Sequence, residues 1–179
     1  MDVFSLVSLI LSKKGGGGGF PGDKYFEGGY ADVVLKNATR LKSYAFYQDS
    51  SLKTISLPKV AYIEQYAIYN CANLSEINLA EGLIDIGMSA ISGGKYDGDH
   101  VKKLVIPSTV KSIGYSAFAS LAGLETVTFL GTPTTIGATF MPAFGYSVQF
   151  IYCPWAEGEV AGAPWGAASA LIMYNYTGG

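Results

Sequence analysis

The chain is short of charge, cysteine and histidine, and each shortage removes a class of function. Lys and Arg number 12 against 14 Asp and Glu, for a net charge of -2, so the basic field that holds a nucleic-acid backbone is missing. Charged residues make up 15% of the sequence, where ordinary soluble domains carry about 25%. Only two cysteines occur, Cys71 and Cys153. Each falls at a position that the repeat described below explains, so no disulfide framework is expected. His100 is the single histidine, which excludes triads needing more than one imidazole and most zinc sites. No long hydrophobic run is present either. The apolar stretch from Val3 to Leu11 is far below the roughly 20 residues of a transmembrane helix. Asp2 precedes it and Lys13 and Lys14 follow it, the reverse of the charge order in a secretory signal. Neither a membrane span nor an export signal is expected.

Glycine and tyrosine are plentiful, at 23 and 13 residues. With so little charge, they suit a rigid protein that shows partners a polar-aromatic surface, or a subunit buried in an assembly. Residues 1–14 read as a short helix whose apolar side chains Val3, Phe4, Leu6, Val7, Ile10 and Leu11 need cover from another protein or from copies of the chain. Gly15 to Gly19 follow; five glycines in a row neither hold a helix nor pack a core, so residues 15–32 read as a flexible linker. They do not read as a phosphate-binding loop, because no Gly-Lys-Ser/Thr follows and no strand precedes.

From Val33 the chain repeats itself, and the repeat decides the fold. SLKTISLP (51–58), NLSEINLA (73–80), HVKKLVIP (100–107), GLETVTFL (123–130) and SVQFIYCP (147–154) share an apolar-x-x-apolar-x-apolar pattern. Its columns are Leu52, Leu74, Val101, Leu124 and Val148; then Ile55, Ile77, Leu104, Val127 and Ile151; then Leu57, Leu79, Ile106, Phe129 and Cys153. A second block precedes the first four of these segments and carries a fixed pair: Ala45-Phe46, Ala67-Ile68, Ala90-Ile91 and Ala117-Phe118, at spacings of 22, 23 and 27 residues. The longest spacing holds an insertion, GGKYDGDH, between Ser92 and Val101. A degraded fifth turn is placed around Ile136-Gly137 and Phe140, with Pro142 and Gly145 interrupting it. One such unit cannot bury its apolar side alone, whereas stacked units bury a continuous column. The expected fold is therefore a β-rich solenoid of about five coils over residues 33–153, with residues 154–179 as a C-terminal cap.

Residues 52–74, LKTISLPKVAYIEQYAIYNCANL, and 104–124, LVIPSTVKSIGYSAFASLAGL, closely resemble the leucine-rich repeat of BspA-like (Treponema-type) bacterial surface proteins. In that comparison Cys71 takes the place of the family cysteine and Leu121 replaces it one repeat later. The resemblance implies short strands joined by turns or 3-10 segments, and a binding role. The tail, with Pro154-Trp155 and Pro164-Trp165, resembles tails of phage- and prophage-encoded repeat proteins of gut Firmicutes.

No set of side chains converges on catalysis. Asp97, Asp99 and His100 sit in the insertion, without the further spaced ligands and bidentate Glu of a calcium loop. Glu157 and Glu159 lie near Trp155 and Trp165 in sequence, which invites a carbohydrate-active reading, but the glycine-rich context indicates a turn. No cofactor or metal is expected. What stands out is the open side of the strand ladder, where alternation puts Thr54, Ser56, Glu76, Asn78, Lys103, Val105, Thr126, Thr128, Phe150 and Tyr152. This candidate binding face grows aromatic toward its C-terminal end. Tyr44, Tyr47, Tyr62, Tyr66, Tyr69 and Tyr115 in the second blocks offer another surface. The sequence points to a non-enzymatic structural and binding protein, a fibre, tail or capsid appendage of a phage or prophage virion. Its partners would be other virion proteins or itself, as a homo-oligomer such as a trimer, and a host surface protein or glycan. The rival is a BspA-like adhesin on the bacterial cell surface.

Overall fold

The computed structural model describes residues 31–92, 100–137 and 143–178. The expected N-terminal helix, the glycine run, Asp97 and Asp99, and Phe140 with Pro142 lie outside the described residues. Within them the chain winds through about six turns of a parallel solenoid with two ladders. The longer ladder consists of two successive sheets, β1 (Asp32–Val34), β3 (Thr54–Leu57) and β5 (Glu76–Leu79), then β7 (Lys103–Ile106), β9 (Thr126–Phe129), β11 (Phe150–Tyr152) and β12 (Leu171–Met173). The shorter ladder consists of β2 (Arg40–Leu41), β4 (Tyr62–Ile63), β6 (Asp85–Ile86), β8 (Ser112–Ile113) and β10 (Thr135–Ile136). Registers follow the sequence columns: Ile55 pairs with Ile77, Leu104 with Val127, and Ile151 with Ile172.

The columns read from the sequence are the core. Leu52, Leu74, Val101, Leu124 and Val148 are buried, as are Ile55, Ile77, Leu104, Val127 and Ile151. In the third column only Leu79 is half-buried; Leu57, Ile106, Phe129 and Cys153 are buried. Hydrophobic burial shared between coils therefore fixes the register, since a slip of one residue would turn each column out to water.

The Ala-Phe blocks form the bend opposite the ladders. Each alanine is buried against the next coil, leaving room for backbone to meet backbone. A third line of hydrogen bonds runs here: Phe46 N–H donates to Ala67 O at 2.7 Å, Ile68 N–H to Ala90 O at 2.7 Å, Ile91 N–H to Ala117 O at 3.0 Å and Phe118 N–H to Ala143 O at 2.8 Å. The residue before each of the first four alanines takes a left-handed conformation, with φ of 63° at Tyr44, 56° at Tyr66, 49° at Ser89 and 54° at Ser116. Such a conformation costs about 1–2 kcal/mol per L-residue, which the bond from the following amide offsets. At Gly114, which follows the core isoleucine of β8, a Cβ would lie 2.7 Å from Gly87 C and Met88 N. This close approach explains the Ile-Gly pair of the later repeats.

Two details differ from the expectation. The fifth coil completes its pair with Ala143-Phe144: both are buried, and the Phe144 ring stacks on Phe118 at 5.5 Å. The extra residues before it delay the motif and hide it from a fixed-spacing search. The tail also supplies a further coil. β12 extends the longer ladder, and Trp165 O accepts the Phe144 N–H at 3.0 Å, the role that alanine plays in earlier coils. Trp155 and Trp165 are buried and pack on Phe129, with ring centroids 4.9 and 6.3 Å away. An aromatic core thus fills the coil where the aliphatic columns run out.

A candidate binding face on the longer ladder

All ten predicted face residues point away from the core: Glu76, Asn78, Lys103, Val105 and Phe150 are exposed, and Thr54, Ser56, Thr126, Thr128 and Tyr152 are half-buried. Parallel in-register pairing, from β1 to β5 and again from β7 to β12, arranges them in two columns, and among the described residues no pairing joins β5 to β7. One runs Asp32, Thr54, Glu76, Lys103, Thr126, Phe150, Leu171, and the other Val34, Ser56, Asn78, Val105, Thr128, Tyr152, Met173. Leu171 and Met173 escaped the sequence reading, because β12 lacks the full repeat pattern. Chemistry changes along the face. Its middle carries Glu76 and Lys103, and its last two rungs are uncharged, with Phe150 37% and Leu171 56% exposed. Tyr152 meets the ring of Tyr176 at 4.8 Å, which widens this apolar end.

The second-block tyrosines form their own array. Tyr44 stacks on Tyr66 at 5.5 Å and Tyr47 on Tyr69 at 5.4 Å, while edge contacts of 5.5 and 5.4 Å join the two stacks within each coil. All four are half-buried against one another, so their ring faces serve the stack of coils first. Tyr62 lies apart, under the Arg40 guanidinium at 4.3 Å.

Carboxylates bind neighbouring coils together. Glu64 accepts from Ser43 N–H at 2.9 Å and Ser43 Oγ at 3.1 Å and pairs with Arg40 at 3.3 Å. Desolvation pushes its pKa up, but the Ser43 hydrogen bonds and Arg40 together hold it below the ordinary carboxylate value. Glu81 is likewise lowered, by hydrogen bonds from Ser108 N–H at 2.9 Å and Ser108 Oγ at 2.8 Å. Both groups are structural ties between turns.

Residues considered for chemistry are dispersed. Glu157 and Glu159 are exposed, and Glu159 accepts from Ala156 N–H at 3.0 Å. Trp155 and Trp165 are buried, so they give these carboxylates no aromatic platform. Cys71 and Cys153 are buried. Cys71 Sγ donates to Phe46 O at 2.9 Å, and burial pushes the Cys153 thiol up to about 12. Among the described residues, no cluster of His, Cys, Asp or Glu is arranged to hold a metal ion. No helix there is long and apolar enough to cross a membrane.

Residues 91–144 match the family described as "BspA type Leucine rich repeat region (6 copies)". The fold is similar to the crystal structure of the pneumococcal vaccine antigen PcpA, at a TM-score of 0.59 and 23% identity over 83% of this chain and 31% of that one. It is also similar to a leucine-rich repeat protein from Bacteroides ovatus, at a TM-score of 0.59 and 21% identity over 80% of this chain and 37% of that one. The chain thus spans about a third of the length of these two proteins, and at such identities the likeness is one of fold. No curated protein matches the chain. Register and fold agree with the match over residues 91–144: the coils form a leucine-rich-repeat solenoid, similar over that stretch to the BspA type.

Proposed function

We propose that the protein is a non-catalytic binding module that captures a partner protein on its longer ladder, with the tightest contact at the aromatic end. The observation that carries this is the change along the two outward columns, from Glu76, Asn78 and Lys103 to Phe150, Tyr152, Leu171 and Met173. Contiguous exposed apolar side chains on a folded surface mark contact sites, and aromatic residues dominate the energetics of such sites. A rigid ladder also holds its side chains in place before contact, which lowers the ordering cost of binding. The test immobilises the full chain and screens it against arrays of purified host surface proteins and glycans. A protein hit is expected to weaken at least about tenfold with Phe150→Ser plus Tyr152→Ser, the loss of about 1.4 kcal/mol of contact. No protein hit, or one indifferent to the double substitution, refutes the reading.

We place the module on a phage or prophage virion, as an appendage held by residues 1–14 and spaced from the particle by Gly15 to Gly19. An apolar segment followed by five glycines and then a rigid display unit supports this division of labour. Deleting residues 1–19 and measuring incorporation into particles tests it; unchanged incorporation removes the attachment role. The second reading, an adhesin on the bacterial cell surface, is supported by the BspA-type match itself. Surface display without any virion component at the same locus would favour it.

A further inference from the structure

A coil of a solenoid buries its interior by stacking on its neighbours, and β12 is the last rung of the stack. It ends the order β12-β11-β9-β7, so among the described residues its outer edge pairs with no strand. The tail after it turns back onto the coil before: Asn175 N–H donates to Trp155 O at 3.0 Å and Tyr176 N–H to Cys153 O at 2.8 Å. The inner row is open in the same place. Ile172 pairs with Ile151 and Tyr174 stands in the column of Cys153, yet both are half-buried, whereas Ile151 and Cys153 are fully buried. At the opposite end of the ladder Val33 and Leu35, in the same two columns, are buried. The uncovered apolar row therefore belongs to one end alone.

The hydrogen bonds define what the edge offers. Leu171 N–H donates to Gln149 O at 2.8 Å, and Met173 O accepts from Cys153 N–H at 2.9 Å, so these two residues face β11. By the alternation of a strand, Ile172 turns both its N–H and its C=O outward, and so do the Ala170 C=O and the Tyr174 N–H. Such an edge is a template for another strand. β12 carries neither the lysine nor the proline nor the inward charge that blunts strand edges, and no residue from Ala170 to Thr177 is charged. The edge is also complementary to itself. An antiparallel copy centred on Ile172 makes that residue a hydrogen-bonded pair with its own equivalent. Tyr174 N–H of each copy then meets Ala170 C=O of the other, and Leu171 meets Met173. Apolar side chains face apolar ones on both sides of the sheet. Pairing with β1 of another copy would instead set Leu171 against Asp32 and cover Val33 and Leu35, which are buried already.

We propose that the protein forms a two-fold dimer through β12, in which the four-stranded sheet runs on into that of a second copy. The two last coils share one interior across the axis, through Ile172 and Tyr174. A contact that uses the same patch on both chains closes at two and does not propagate. The dimer rests on the strand edge and the inner row, not on the outward aromatic side chains. It brings the apolar ends of two ladder faces side by side, so a partner bound there would touch Leu171 and Met173 of both copies.

Sedimentation of the full chain from micromolar to millimolar concentration tests this. The parent is expected to have twice the mass of Ile172→Pro at equal concentration, whatever residues 1–14 add to both. Proline suits the position, because the N–H it removes points away from β11 and proline is accepted at the outer edge of a sheet. The Leu171 amide, bonded to Gln149 O, reports whether the last coil stays folded in the variant. A second measurement leaves Ile172 in place. Leu171→Cys and Met173→Cys chains, mixed and oxidised, should link to each other at least about tenfold faster than either links to itself, since facing residues of a non-hydrogen-bonded antiparallel pair lie within disulfide reach. Phe150→Ser plus Tyr152→Ser should leave the mass unchanged, so the dimer and the aromatic-end reading fail separately. Equal masses for parent and Ile172→Pro overturn the dimer. So do masses that climb past double with concentration, as head-to-tail stacking would give, or a mixed link no faster than the self-links.

Discussion

Trp165→Ala tests whether the coils are stabilised by their neighbours, as the fold implies. Trp165 is fully buried, donates its Nε1–H to Ala161 O at 2.8 Å, and accepts the Phe144 N–H on its carbonyl at 3.0 Å. Its ring packs against Phe129 at 6.3 Å and Trp155 at 6.1 Å. A buried tryptophan removes about 150–250 Å² from water, which at about 25 cal/mol per Å² is about 4–6 kcal/mol. Large-to-small substitutions of buried aromatics cost about 3–5 kcal/mol as a rule, so about 4 kcal/mol is the working figure. Domains hold about 5–15 kcal/mol in all, and a solenoid loses stability coil by coil. The substitution should therefore loosen the last coil and leave the first coils folded. Amide exchange reads this directly. The Leu171 amide, bonded to Gln149 O, and the Tyr176 amide, bonded to Cys153 O, should exchange up to about a thousandfold faster. The Ser75 amide, bonded to Lys53 O, should be unaffected. Equal loss at Ser75, or no loss at Leu171, would refute the nearest-neighbour account.

Gly114→Ala places a Cβ 2.7 Å from the backbone of the preceding coil and should cost about 1–3 kcal/mol by overpacking; a denaturant midpoint equal to the parent's would contradict that geometry. Glu64 and Glu81 both have lowered pKa values, so their contribution to stability is complete above the ordinary carboxylate range and fades as pH falls through their folded-state values. Chemical denaturation should show stability falling below about pH 4.5, with a shallower fall in Glu64→Gln; an identical pH profile in that variant would refute its part. The buried thiols of Cys71 and Cys153 should resist a thiol reagent at pH 8 in the native protein and react once it is unfolded, and fast modification of the native chain would count against the burial of both.

The repeat was legible because burial acts on each coil alike. The same apolar columns recur at Ile55, Ile77, Leu104, Val127 and Ile151, and parallel pairing then dictates which residues face out. Where local length varies, the signal fades. Extra residues displaced the fifth pair to Ala143-Phe144, and the sixth coil replaces the aliphatic pattern with Trp155 and Trp165, whose burial only their mutual packing reveals. The left-handed Tyr44 and Tyr66 carry no residue-type signature, since tyrosine is an ordinary choice at neither. The parting of β5 from β7 is invisible to a column search because Ile77 and Leu104 both satisfy the pattern; only backbone pairing distinguishes a closed rung from an open one.

The seam at that junction also sets how the molecule would answer a pull along its long axis. Through the first five coils the other adjacent turns share three lines of bonds, and here they share two. Beyond β10 the shorter ladder ends, and β12 is held by the longer ladder alone. Tension should therefore peel β12 first and, within the first five coils, part the turns at the β5–β7 junction, giving a tether that lengthens in steps.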